Sequence, residues 1–106
     1  MTKVGEHVTF DIIGTHKEYD PKFYEKLVYK IAKKAKVIVL EISKYKFEPQ
    51  GFTLVALLAE SHISFHTFPE KRMISFDFFT CGNVSPSVAL DVIKKEIKHT
   101  RIIKKE

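Results

Sequence analysis

Apolar positions along this chain follow two different periods, and the changes between them mark out its elements. EHVTFDII, residues 6–13, is rich in β-branched and aromatic residues and ends at Gly14, which predicts a first strand. Asp20 and Pro21 then offer a helix N-cap and a first helical residue. Behind them Phe23, Leu27 and Ile31, with Tyr24, Val28 and Ala35, form an apolar stripe at helical spacing that should end near Lys36. KVIVLEISKYKF is β-branched and partly alternating, a second strand broken by EPQG. FTLVALLA is an almost wholly apolar third strand, covered on at least one face. In HISFHTF the period is two, so Ile63, Phe65 and Thr67 point one way and His62, Ser64, His66 and Phe68 the other. PEKR turns the chain, MISFDFFTC is a fifth strand, and Gly82 and Asn83 end it. Ser85 and Pro86 cap a second helix with Ala89, Leu90, Ile93 and Ile97 facing inward, and TRIIKK closes the chain as a short strand.

The order β-α-β-β-β-β-α-β, with both helices needing an apolar partner, predicts an α+β fold. It is a two-layer sandwich in which two helices cover one face of a largely antiparallel sheet. The other face must be solvated or buried by a second protomer. No linker or low-complexity tract divides residues 1–106, so a single domain is expected.

Composition narrows the classes further. At 44% apolar residues the chain has the makeup of a globular protein with one modest core, small enough that a dimer interface would not be surprising. One cysteine, Cys81, excludes an internal disulfide framework. The N-terminal stretch lacks the apolar core and cleavage site of a signal peptide, and no apolar run is long enough to span a bilayer; a cytoplasmic protein is expected. The net charge of +5 lies partly in KIAKKAK and RIIKKE, the outer face of a helix and a terminus. With no RNP-like aromatic motif or helix-turn-helix pattern beside these lysines, a solvated basic face is preferred over a nucleic-acid partner.

ESHISFHTF, residues 60–68, is different. A core strand prefers Val or Ile, yet this one carries Glu60, Ser61, His62, Ser64 and His66. A serine hydrolase would need more than one serine near one histidine, and the G-x-S-x-G elbow is absent. A metal held by His62, His66 and Cys81 is disfavoured, because His62 and His66 stand about 13 Å apart along an extended strand.

LAESHISFHTFPE followed by FDFFTCG closely resembles the prokaryotic S-adenosylmethionine decarboxylase proenzyme family, whose pattern reads roughly LAESHxxIHTWPE then VDxFTCG. GEHVTFDIIG near the start and KFEPQGFT before the third strand extend the likeness over nearly the whole chain. The resemblance implies self-processing: Ser61 attacks the carbonyl of Glu60, and an N-to-O acyl shift, elimination and hydrolysis leave a pyruvoyl group in place of Ser61. The products would be a β chain of residues 1–60 and an α chain of residues 61–106. In the family that covalent cofactor forms a Schiff base with the substrate amine and serves as electron sink when carbon dioxide leaves.

Carried over position by position, the resemblance gives His66 the histidine that assists processing and Cys81 the cysteine that delivers a proton after decarboxylation. A thiol with an ordinary pKa of about 8.5 is mostly protonated at neutral pH, as that role requires. Thr53 stands where the family often has a serine that helps processing. Phe47 and Phe68 match the aromatic pair that stacks on adenine, and Glu70 the acid that holds the ribose hydroxyls. The implied assembly is a homodimer of proenzymes, (αβ)2 after cutting. The implied reaction turns S-adenosylmethionine into the aminopropyl donor for polyamine synthesis.

The chain also departs from the pattern. Phe68 replaces the common Trp, and PEKRMISFD replaces PEYGYAAVD. Gly14 is followed by Thr15 rather than Cys, and Ser85, Pro86 and Ser87 stand for Asp-Pro-Trp. The altered turn is compatible with the arginine or ornithine substrates of some members, although Phe47, Phe68 and Glu70 favour S-adenosylmethionine. A homologue that folds without cutting itself and acts by binding is the other alternative.

Overall fold

The structure, a computed structural model, describes residues 5–15, 18–81 and 84–105. Among the described residues six strands form one sheet: β1 (Gly5–Ile13), β2 (Val39–Lys46), β3 (Phe52–Leu58), β4 (Ser61–Phe68), β5 (Met73–Cys81) and β6 (Arg101–Lys105). Their spatial order is β2-β3-β4-β5-β1-β6, and every neighbouring pair is antiparallel. The expected two-layer α+β sandwich is what the chain adopts, with α1 (Pro21–Ala35) and α2 (Ser87–Glu96) supplying the second layer.

Local chemistry sets the element ends. The Asp20 carboxylate accepts the Phe23 N–H at 3.0 Å and Pro21 opens α1, a cap that contributes about 1 kcal/mol. Lys36 ends α1 in a left-handed conformation, and the Val37 N–H returns to the Ala32 carbonyl at 3.0 Å. At α2 the helix starts at Ser87 rather than Pro86, and the Ser85 hydroxyl accepts the Ser87 N–H at 3.3 Å. Val92 is buried there and Leu90 only half-buried, because the α2 stripe is centred on Ala89, Val92 and Ile93. The expected breaker at 82–83 lies outside the described residues.

The core lies between sheet and helices. Ile12, Leu54, Ile63, Phe65, Phe76 and Phe78 meet Tyr24, Leu27, Ile31, Ala89 and Ile93 with almost no residual exposure. Tyr24 packs its ring 5.3 Å from Phe65 and 5.5 Å from Phe52, clamping α1 to β3 and β4. Burial pushes its phenol well above the usual range, with Tyr19 and Glu18 adding to the shift.

On the opposite face the sheet has no covering element among the described residues. Val55 and Leu57 are 43% and 50% exposed there beside polar Thr53, His62, His66 and Asp77. Among the described residues no helix is long and apolar enough to cross a membrane.

Candidate active site

The β3–β4 hairpin has the shortest useful connection. Leu58 pairs with Ser61, leaving Ala59 and Glu60 as the turn, and the Ala59 N–H is tied to the Ile38 carbonyl at 2.8 Å. Glu60 takes the left-handed conformation at φ 62°, which costs a residue with a Cβ about 1–2 kcal/mol. The next peptide enters Ser61, whose side chain is on the helix side of β4 and only 8% exposed. Its Oγ is buried without a hydrogen-bond partner among the described residues, a state that costs about 1–3 kcal/mol. It faces a cavity of about 210 Å³ lined by Val37, Ala59, Glu60, Phe78, Thr80 and Val84. A strained peptide therefore stands directly before an unsatisfied nucleophile. Cβ, Cα and the amide nitrogen separate Oγ from the Glu60 carbonyl carbon, so a bond between the two would close a five-membered ring.

The two imidazoles of HISFHTF are separated as their spacing requires. His66 lies on the open face, half-buried, and its Nδ1 is 3.1 Å from the hydroxyl of Thr53, its direct partner across β3 and β4. Ser61 and His66 are five residues apart, about 17 Å of strand, and on opposite faces. One chain therefore does not bring them together. Phe47, Phe68 and Glu70 share the His66 end. Glu70 accepts the Gln50 amide at 3.3 Å, Phe47 lies 4.9 Å from Tyr45, and the Lys71 ammonium sits 5.7 Å from the Phe68 ring centre. Phe47 is 47% exposed, so its ring is available to a ligand. Cys81 ends β5 opposite Gly5, at the Ser61 end of the sheet. The candidate residues thus divide into two groups. Ser61 and Cys81 occupy one end, and Thr53, His66, Phe47, Phe68 and Glu70 the other.

Sequence reasoning missed one cluster. Asp77 on β5 receives hydrogen bonds from His7 of β1 (2.5 Å), from His62 of β4 (3.3 Å) and from the Ser64 hydroxyl. Burial alone would raise the Asp77 carboxyl, but hydrogen bonds from Ser64, His7 and His62 outweigh it and hold the pKa below the usual carboxylate range. His7 and Asp77 are separated by 70 residues in sequence, so only strand register reveals their meeting.

A helix-backed antiparallel sheet with an unpaired serine behind a left-handed residue at a hairpin is the frame of the candidate site. The family model for S-adenosylmethionine decarboxylase matches residues 6–106. The chain belongs to that family. It is 36% identical over 99 residues to the S-adenosylmethionine decarboxylase proenzyme of Geobacillus sp. (strain WCH70), covering 92% of this chain and 80% of the relative. It is likewise 36% identical over 105 residues to that of Methanococcus maripaludis (strain C5), covering 96% and 86%. The crystal structure of the adenosylmethionine decarboxylase from Aquifex aeolicus superposes with a TM-score of 0.84 at 33% identity, over 99% of this chain and 89% of that one. A Trypanosoma brucei AdoMetDC monomer shares the fold at a TM-score of 0.66 and 13% identity, over 92% of this chain and 44% of that one.

Proposed function

We propose that the chain is a self-processing, pyruvoyl-dependent carboxy-lyase that acts on S-adenosylmethionine and supplies the aminopropyl donor for polyamine synthesis. The observation that carries this reading is the buried, unpartnered Ser61 Oγ directly after left-handed Glu60. Relatives named for the same substrate support it over arginine or ornithine.

Processing needs only bonds present in the hairpin. Ser61 Oγ adds to the Glu60 carbonyl carbon, the Glu60–Ser61 C–N bond breaks, and the Ser61 amine takes up the hydroxyl proton, leaving an ester. Loss of the Ser61 Cα proton then expels the Glu60 carboxylate. Water converts the resulting enamine to a ketone with release of ammonia, giving fragments 1–60 and 61–106. Relief of the turn and of the unsatisfied hydroxyl favours the first step. The residues fit the group: its precursor atom is already the orphan at the site. Once formed, the pyruvoyl ketone supplies an electron sink for breaking the carboxylate bond.

The remaining residues bind and move protons. Phe47 and Phe68 present faces to a purine and a sulfonium, and Glu70 presents a carboxylate to ribose hydroxyls. Thr53 fixes the His66 ring through Nδ1, and Cys81 is the proton donor to the product carbon. The division of these groups between the ends of the sheet supports a homodimer that becomes (αβ)2. A second copy packed antiparallel across the open face would bring the Thr53–His66 end of one chain over the β3–β4 turn of the other, where the Glu60–Ser61 bond lies. The same reading places the enzyme in the cytoplasm.

Denaturing mass spectrometry tests it. Two fragments dividing between Glu60 and Ser61, the second carrying a hydroxylamine-reactive ketone, are expected, together with carbon dioxide release from S-adenosylmethionine. A permanently uncut chain, or undiminished turnover by Ser61→Ala, would overturn the reading.

A further inference from the structure

We propose that His7, His62 and Asp77 form a binding site for one divalent first-row transition ion, with zinc the best match to the donors. The proposal does not depend on the decarboxylase reading. Strand register builds the site. His62, Phe79 and His7 lie in one row across β4, β5 and β1, and Asp77 stands two residues along β5 from Phe79. Both imidazoles aim Nε2 at the same carboxylate oxygen, Asp77 Oδ2, at 2.5 Å from His7 and 3.3 Å from His62. All three donor atoms lie within 4.8 Å of one another.

An ion bonded at about 2.0–2.2 Å in tetrahedral geometry holds its donors roughly 3.3–3.5 Å apart. Side-chain adjustments of about 1 Å convert the hydrogen-bonded cluster to that spacing, with the strands left in place. Two neutral imidazoles and a carboxylate are borderline donors, which suit zinc and its neighbours better than magnesium or calcium.

The surroundings hold the ligands as metal sites require. Ser64 donates its hydroxyl to Asp77 Oδ1 and so leaves Oδ2 to the imidazoles. The Phe79 ring stacks on His62 at 5.8 Å and 14° between planes, and it contacts His7 edge-on at 6.2 Å. Within one chain the side chains of His7 and His62 remain 49% and 42% exposed, so an ion can enter from the sheet face before a second copy covers it. Such an ion would tie together β4, β5 and β1, three adjacent strands of the sheet.

The full chain, stripped with a chelator, would be titrated with zinc chloride by calorimetry and with Co²⁺ by visible spectroscopy. One ion per chain is expected, with four-coordinate Co²⁺ bands and no sulfur-to-metal charge transfer. His7→Asn, His62→Asn and Asp77→Asn should each weaken binding roughly tenfold or more, and His99→Asn should not. Circular dichroism establishes that each variant is folded. Absence of zinc binding by the wild-type chain, binding unchanged in the His7→Asn/His62→Asn double variant, or a cysteine charge-transfer band would each overturn the proposal. The wild-type spectrum decides the matter even where a variant fails to fold.

Discussion

Two inactive variants should rescue each other if the active site is shared between two copies. The perturbations are Ser61→Ala, which removes the nucleophile, and His66→Ala, which removes the imidazole at the opposite end of the sheet. Within one chain these groups stand about 17 Å apart along β4 and on opposite faces, whereas proton transfer needs contact near 3 Å. A heterodimer of the two variants holds one site in which His66 of the first variant stands over the Glu60–Ser61 turn of the second, and one site that lacks both groups. Random pairing of equal amounts gives half heterodimers, each with one intact site of two, so the unfractionated mixture should recover roughly one quarter of wild-type activity and isolated heterodimers roughly one half. The assay is co-expression with two different tags, tandem purification to isolate heterodimers, and measurement of cut fragments by mass and of carbon dioxide from labelled S-adenosylmethionine. Each variant alone should stay near background. Purified heterodimers no more active than the single variants would refute the shared site.

Further outcomes follow from the geometry. In an uncut Ser61→Ala background, Glu60→Gly should stabilise the chain by about 0.5–1 kcal/mol, because glycine takes the left-handed turn without a Cβ penalty; urea unfolding measures it. The folded-state pKa of Asp77 is depressed, so its contribution to stability is full above the unfolded value near 3.9 and is lost as pH falls through the folded value. The stability difference between wild type and Asp77→Asn should therefore shrink as pH drops below about 4 in acid titration followed by circular dichroism. Phe65→Ala, at a fully buried position, should cost about 3–5 kcal/mol and show as a large fall in melting temperature. Phe68→Trp should lower KM for S-adenosylmethionine a few-fold with kcat little changed, since a larger ring improves stacking on bound purine.

Much of the architecture was legible because it is written in local periods. The Asp20–Pro21 cap and the Tyr24–Leu27–Ile31 stripe define α1 with no distant information, and the alternation of HISFHTF assigns Ile63 and Phe65 to the core. The same alternation separates Ser61 from His66. Motif spacing alone hides that consequence, because it treats neighbours in sequence as neighbours in space. The Asp77 cluster was illegible for the converse reason. Its imidazoles come from β1 and β4, and the pairing of both with β5 depends on a strand order no short window carries. At α2, Val92 was overlooked because the short helix supports two similar apolar stripes, and packing against α1 and the sheet decides between them.

The strand order has one more consequence, which concerns what holds the molecule together once it is cut. The proposed scission after Glu60 would leave β1, β2 and β3 on one fragment and β4, β5 and β6 on the other, so the sheet order β2-β3-β4-β5-β1-β6 would interlace the two. Three ladders, β3–β4, β5–β1 and β1–β6, then join separate polypeptides. Breaking one peptide bond makes unfolding a dissociation, so the melting point of the mature protein should rise with its concentration even within a single protomer. The uncut chain folds as a unimolecular event, whereas separated fragments would have to find each other and rebuild all three ladders. Order of events thus becomes a form of storage: the precursor assembles while its connection is intact, and the later cut leaves a woven pair that does not readily return to solution as halves.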